Sequence, residues 1–298
     1  MAKKVTQALA TAPRVPSLET TLNILENISS KIRPRGVRPK CGMIYGQEIK
    51  SVTWEFDPKK FPTLEILHLT DTQMGHRGCQ ADRVEEYRDW VLSRPNRFLV
   101  FGGDMVDAGT KISVGDPHEQ TGCPLQQVID FCNVMAPVAH RVLGYVGGNH
   151  ERRSELTFGN LGLMIANFLR IPVSLGRQFV NIEYGSHRPF RIDLWHGRGA
   201  ARTKGAKVMM LWNYVMEHPG SDLYLCGHLH DCFLLPFHKE HHIRGKNEIR
   251  ITKHYAGMSS SFLNTWGTYA EVAGMSLTDV LMLRCILEPS GKSEVTVR

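Results

Sequence analysis

The sequence predicts an α/β protein in which sheets are covered by helices, and three observations predict it. After Pro62, short apolar runs alternate with amphipathic stretches of helical length, the habit of a layered α/β chain. Each central apolar run ends in a turn that carries carboxylate, amide or imidazole side chains, most of them beside glycine. The composition is that of an ordinary globular protein: 298 residues, of which 42% are hydrophobic, 22% charged and 8% aromatic. A chain of this length buries about three quarters of its unfolded surface, so its core needs no cross-links. The 7 cysteines are scattered with no C-x-x-C pair, which argues against a disulfide framework and against a zinc ribbon. No run of about 20 apolar residues occurs, and the start, MAKKVTQALATAPRVP, has no apolar stretch of signal-peptide length. A cytoplasmic protein with no membrane contact is expected.

Taken in order, residues 1–60 differ in character from the rest of the chain and read as an extension of the main domain, 61–298. Ser17 is placed to cap a helix running to Lys31, whose stripe Leu18, Leu22, Leu25 and Ile28 can dock on its own core or pair two subunits. Lys31 to Lys40 holds five positive charges, two prolines and a glycine, which forbids regular structure; it reads as an exposed basic linker, either solvated or in contact with a phosphate backbone. Residues 43 to 57 look like a short extended pair. Strands are expected at Leu64 to Leu69, Arg97 to Phe101, Val142 to Val146, Phe190 to Trp195 and Leu223 to Cys226. Helices are expected at Ala81 to Leu92, Pro124 to Met135, Gly159 to Leu169 and Ala206 to Glu217, with further strands at Arg250 to Tyr255 and Val280 to Leu287. The run His238-Lys-Glu-His-His242 reads as a solvated hairpin tip.

The chemistry gathers at the strand ends. In order come Asp71-Thr-Gln73, Gly-Asp104-Met-Val-Asp107, Gly-Gly-Asn149-His150-Glu151, His196-Gly and Gly-His228-Leu-His230. Loops at the carboxyl ends of strands in an open α/β sheet are where such folds hold ligands, so all five clusters can meet in one crevice. The donor set mixes carboxylates, an amide and imidazoles, which suits Mn, Fe, Zn or Mg. It is too large for one ion, and Asp104 can bridge two, an arrangement that activates water and polarises a phosphoryl oxygen.

This order of motifs, spanning about Leu64 to His230, resembles the calcineurin-like metallophosphoesterases, whose pattern is D-x-H, GD-x-x-D, GNH-D/E, a lone His and G-H-x-H. The resemblance implies a four-layer α/β/β/α sandwich of two mixed sheets flanked by helices. It implies that Asp71, Gln73, Asp104 and His230 surround one metal while Asn149, His196 and His228 hold the other, with Asp104 shared. His150 then donates a proton to the leaving group, Asp107 orients it, and a metal-bound hydroxide is the nucleophile. Glu151 is either a carboxylate behind the ligands or a plain exposed residue. One departure stands out: Asp71-Thr72-Gln73 replaces the imidazole of D-x-H by an amide oxygen, a harder donor that shifts the site toward Mn2+ or Mg2+. His68 and His76 are the alternatives for the missing ligand. The stretch Ile66 to Asp71 is similar to the nuclease subunit of the double-strand-break repair complex.

Within the superfamily, protein phosphatases carry an Arg after GD-x-V-D and another before GNHE; here Ala108 and Gly147-Gly148 stand at those places. The net charge of +7, from 36 Lys+Arg against 29 Asp+Glu, and the basic linker favour a polyanionic partner. The expected activity is therefore Mn2+-dependent hydrolysis of phosphodiester bonds in nucleic acid. A small-molecule phosphomonoesterase, a cyclic-nucleotide phosphodiesterase and an inactive scaffold of the same fold are the alternatives. Arg152 and Arg153 can steer a polyanion, and Trp266 and Tyr269 can stack on a base or pack the tail on the core.

Overall fold

The computed structural model describes residues 18–40, 47–109, 117–155, 159–185, 188–243, 245–272, 274, 277 and 279–298. Ser17, Cys41, residues 43–46 of the expected extended pair and the side chains of Leu18 and Tyr269 lie outside the described residues.

The strands form two mixed sheets. The first takes the order β12(Ser293–Val297), β11(Leu283–Leu287), β3(Leu64–Leu69), β4(Arg97–Phe101) and β5(Val142–Tyr145). β3, β4 and β5 are parallel, and β11 closes the edge of β3 antiparallel. The second takes the order β1(Arg38–Pro39), β2(Ser51–Phe56), β6(Arg177–Tyr184), β7(Phe190–Trp195), β8(Leu223–Cys226), β10(Ile249–Met258) and β9(Phe233–His242). In it β7, β8 and β10 run parallel. The helices are α1(Leu18–Lys31), α2(Ala81–Leu92), α3(Pro124–Met135), a single turn α4(Asn149–Arg152), α5(Leu161–Leu169), α6(Lys204–Glu217) and the short α7(Tyr269–Val272).

Side-chain period decides the layers. Along β3 and β4, Leu67, Leu69, Leu99 and Phe101 face α2, α3 and α5. The alternate residues Leu64, Ile66, Phe98 and Val100 meet Trp54, Val180, Ile182, Ile192 and Leu194 of the second sheet. The outer face of the second sheet is covered by α6 through Leu211, Tyr214 and Val215. The result is helix, sheet, sheet, helix, with the parallel central strands buried on both faces as their continuous apolar runs require.

The N-terminal segment is tied to this body. β2 pairs in parallel with β6 over six residues, and the buried Trp54 donates its indole N–H to the Leu143 carbonyl at 2.8 Å. α1 docks through Ile28, only 1% exposed, whereas Leu22 of the predicted stripe is 52% exposed. Ile24 rather than Leu22 accompanies Ile28 at the interface. The basic linker also differs from the expected exposed arm. Arg35 donates to the carbonyls of Val142 (2.9 Å) and Arg170 (2.8 Å) and lies over the Trp54 ring. Lys31 reaches Asn133 at 3.0 Å, and Lys40 pairs with Glu183. Three of the five charges thus serve as a strap across the edge of the sheets.

Four strands escaped the sequence reading: the two-residue β1, β6, β9 and β12. β6 carries Arg, Gln, Asn and Glu among its apolar residues, and its buried Gln178 accepts from the Tyr145 N–H and donates to the Ile49 carbonyl. β9 contains Pro236, which an edge strand tolerates. The run His238 to His242 is not a hairpin tip: it pairs with Lys253 to Ile249, and the turn lies beyond it. Its polar sequence reflects the solvent face of an edge strand.

Candidate metal centre

The loops after β3, β4, β5, β7 and β8 are laced to one another by backbone hydrogen bonds. Asp71 N–H donates to the Gly103 carbonyl and Gln73 N–H to that of Asp104, at 2.9 and 3.0 Å. Gly227 N–H donates to the His196 carbonyl at 3.0 Å. Close approach makes two glycines obligatory: a Cβ on Gly148 would overlap the Asp104 carboxylate, and one on Gly227 would overlap that of Asp71. Asp71, Gln73, Asp104, His228 and His230 all have φ between 46° and 70°. That backbone region is costly for side-chain-bearing residues and clusters at functional sites. Here five predicted ligands adopt it, which aims their side chains inward where an extended backbone would send them past one another.

Asp104 is at the centre. Its Oδ1 accepts the His150 backbone N–H at 2.8 Å, and its Oδ2 lies 3.1 Å from His196 Nε2 and 3.6 Å from His150 Nε2. His196 Nε2 is also 3.0 Å from Asn149 Oδ1. His196 Nδ1 faces the Gly102 carbonyl at 2.8 Å, and His228 Nε2 faces the Gly199 carbonyl at 2.8 Å. These carbonyls fix opposite tautomers in the two rings, leaving His196 Nε2 and His228 Nδ1 to face inward, as outer partners of ligating histidines do. Among the described residues, Asp104, His196 and His228 are the group whose ligand atoms lie close enough to hold one ion.

The other half differs in detail. Asp71 is fully buried, accepts Thr70 Oγ1–H at 2.6 Å and the His228 backbone N–H at 3.0 Å, and lies 3.4 Å from His230 Nε2. Gln73 Nε2 lies 3.1 Å from His230 Nε2, while Gln73 Oε1 is buried with no hydrogen-bond partner. An orphaned amide oxygen is a group for which a hard cation is a natural partner. Of the alternatives for a missing ligand, His76 Nε2 meets Glu119 Oε2 at 2.9 Å, while His68 Nδ1 meets Ser259 Oγ at 2.8 Å and His68 Nε2 is, like Gln73 Oε1, buried with no hydrogen-bond partner.

The electrostatics also fit a cation. Burial favours neutral His196, but Asp104 and Asp71 overcome it and hold the ring up to about 10. A proton on His196 thus offsets the buried carboxylates. His150 is opposed by burial and raised above the ordinary histidine value by Asp104 and by its hydrogen bond to Asp107. His150 Nδ1 lies 2.6 Å from the Asp107 carbonyl and 3.1 Å from its Oδ1, with Arg153 Nη1 at 2.9 Å.

Several side chains support these loops, and of the two sequence readings of Glu151 the carboxylate behind the predicted ligands is the one observed. Glu151 is fully buried and is not a surface residue: it accepts backbone N–H groups of Asp104 (3.1 Å), Met105 (2.7 Å) and Gly148 (2.9 Å) and the Tyr145 hydroxyl (3.0 Å). It thereby joins the second and third loops. Gln120 donates to Asp107 Oδ2, and Gln127 donates to Gln120 Oε1 at 2.8 Å, a pair of amides that holds the carboxylate beside His150. Nothing in the spacing of Gln120 or Gln127 signals this. Of the expected substrate contacts, Arg152 is exposed and donates to the Leu175 carbonyl, and Trp266 is 63% exposed, so it does not pack the tail on the core.

The sequence profile of the calcineurin-like phosphoesterase family matches residues 64–232, more than half of the chain. A solved structure, the NAD nucleotidase (NadN) of Haemophilus influenzae, is similar at 13% identity and a TM-score of 0.35. That likeness covers 78% of this chain and 49% of the other, so this chain spans about half the length of that structure. No curated protein matches. The chain belongs to the calcineurin-like phosphoesterase family.

Proposed function

We propose that the protein is a metal-dependent phosphodiesterase that hydrolyses nucleic acid, with Mn2+ as the fitting ion. The observation that carries the reading is the placement of His150. Its Nδ1 is 3.1 Å from Asp107 Oδ1, and its Nε2 stands 3.6 Å from Asp104 Oδ2. A ring held in this way can present a proton from Nε2 beside the carboxylate that two ions would share. The family match and the Asp104, His196 and His228 cluster support a metal-dependent hydrolase.

Asp71, Gln73, Asp104 and His230 would hold one ion, and Asn149, His196 and His228 the other, with Asp104 between them. When bound, such ions supply an acidified water and compensate the charge of the phosphoryl oxygens. The chain supplies the rest. His150 gives its proton to the departing oxygen, so that the leaving group need not depart as an alkoxide. Asp107 keeps Nδ1–H engaged and the ring in orientation, while Gln120 and Gln127 hold Asp107. No serine or cysteine nucleophile is required.

A diester is favoured over a monoester because the chain lacks the arginines that protein phosphatases of this family use for a terminal phosphate. Ala108 takes one place, its backbone N–H satisfied by Gln127 Oε1 at 2.8 Å, and Gly147 takes the other. The test is hydrolysis of a chromogenic diester, the matching monoester and labelled DNA and RNA by metal-stripped protein reloaded with Mn2+, Mg2+ or Zn2+. Ion-dependent cleavage of the diester and of nucleic acid is expected. Cleavage of the monoester alone would move the protein to the phosphatases, and no cleavage with any ion would make it an inactive member of the fold.

A further inference from the structure

The loops that carry the ligands expose charge of almost one sign. Four residues after Gln73 comes Arg77; after His150 come Arg152, exposed, and Arg153, half-buried; after His196 come Arg198 and Arg202, both exposed. Against them, the described residues of these loops fully expose a single carboxylate, Glu155. Glu119 is half-buried against His76, and Asp71, Asp104, Asp107, Glu151 and Asp231 are buried. Among the described residues neither Arg198 nor Arg202 has an ion-pair partner.

The Arg198–Arg202 segment is fixed to the centre rather than hanging beside it. The Gly199 carbonyl accepts His228 Nε2–H at 2.8 Å, and at the far end Thr203 caps α6 by accepting the Ala206 N–H at 3.3 Å. Two guanidinium groups therefore leave a short loop pinned at both ends, one of them a single residue from the contact that sets a predicted ligand's tautomer. On a neighbouring loop stands the exposed Trp266, tied to the first ligand loop where the Asn264 N–H meets the Gly78 carbonyl at 2.7 Å.

We propose that this arginine rim, with Arg198 and Arg202 as its main members, is a phosphate-chain subsite that grips nucleic-acid phosphates flanking the scissile bond. The inference rests on the nucleic-acid reading above and names the groups that make that substrate preferred. Arginine suits the task, because its planar fork bonds phosphate oxygens in pairs and keeps its charge at any working pH. A lone small diester fills only the ligand crevice, whereas a chain of phosphates also reaches the rim.

The test measures binding as well as turnover. Anisotropy of a labelled single-stranded oligonucleotide is followed over a salt series in EDTA, for the wild type, Arg198→Ala/Arg202→Ala and Arg198→Lys/Arg202→Lys. The double alanine variant is expected to bind about tenfold more weakly and to flatten the slope of log K against log salt by about 1.4, at roughly 0.7 per single-strand phosphate contact. The lysine variant should keep most of the slope and lose part of the affinity. With Mn2+, the ratio of oligonucleotide to chromogenic-diester kcat/KM should fall about tenfold in the alanine variant. An unchanged slope in that variant, or competition by polyglutamate as strong as by unlabelled oligonucleotide, would overturn the proposal. Wild type that binds the oligonucleotide, with the predicted flattening of the slope in the double alanine variant, but does not cleave it would leave the rim standing and remove the nuclease reading. Wild type that cleaves the small diester but binds no oligonucleotide would remove both.

Discussion

At Gln73 a neutral amide occupies the place where the family pattern has an imidazole, and its buried Oε1 is left without a partner while Nε2 faces His230. Gln73→His should therefore raise the affinity of that half-site for Zn2+ in a competition titration; an unchanged affinity would mean that residue 73 does not ligate. His196 offers a second check. Held up to about 10, it is charged at neutral pH in the ion-free protein, and an ion must displace that proton. Titration calorimetry in buffers of different ionisation enthalpy should report release of about one proton per ion at this half-site. No release would contradict the ligand assignment. That Asp104 and His228 meet was legible because the types and spacing of such residues are those that coordination chemistry asks for. Glu151 was legible only as a member of a motif, since its burial under three backbone N–H groups depends on how two loops meet.

At the scale of elements, α6 and the loop bearing His230 are coupled by a buried charge pair, Lys207 Nζ to Asp231 Oδ2 at 3.2 Å, with both residues under 4% exposed. Removing Lys207 leaves buried Asp231 with only the exposed Lys204, 3.4 Å from its Oδ1, as counter-charge, so Lys207→Ala should lower stability by about 3 kcal/mol in urea unfolding, the lower end of the cost of breaking a buried pair. A change below about 0.5 kcal/mol, the scale of a surface substitution, would place Lys207 in solvent. α1 makes a parallel case: Ile28→Ala should cost about 2 to 4 kcal/mol, whereas Leu22→Ala should cost almost nothing. The central strands were readable because both faces are buried and their apolar runs are continuous. β6 and β9 were not, because Gln178 and Asn181 satisfy backbone and neighbouring groups inside the sheet, and the histidines of β9 face solvent.

For the whole molecule, the two mixed sheets turn the carboxyl ends of β3, β4, β5, β7 and β8 toward one place, so ligands far apart in sequence share a few ångströms. Periodicity alone gave alternating α/β segments; the four layers came from the resemblance, since sheet order depends on contacts no local pattern carries. Overall charge misled in one respect: the basic linker makes internal contacts through Lys31, Arg35 and Lys40, whereas Arg77, Arg152, Arg198 and Arg202 are exposed on the loops that carry the predicted ligands. No helix among the described residues is long and apolar enough to cross a membrane. On the proposed reading the labour is divided: Asp104 would hold the ions and His150 would move a proton. Metal content and diester turnover, compared in Asp104→Ala and His150→Ala after loading with Mn2+, separate the two roles. Asp104→Ala should lose both ions and activity, while His150→Ala should keep its ions and lose turnover by about 10² to 10⁴-fold, the worth of a positioned general acid. Loss of ions in His150→Ala, or full turnover in either variant, would refute this division.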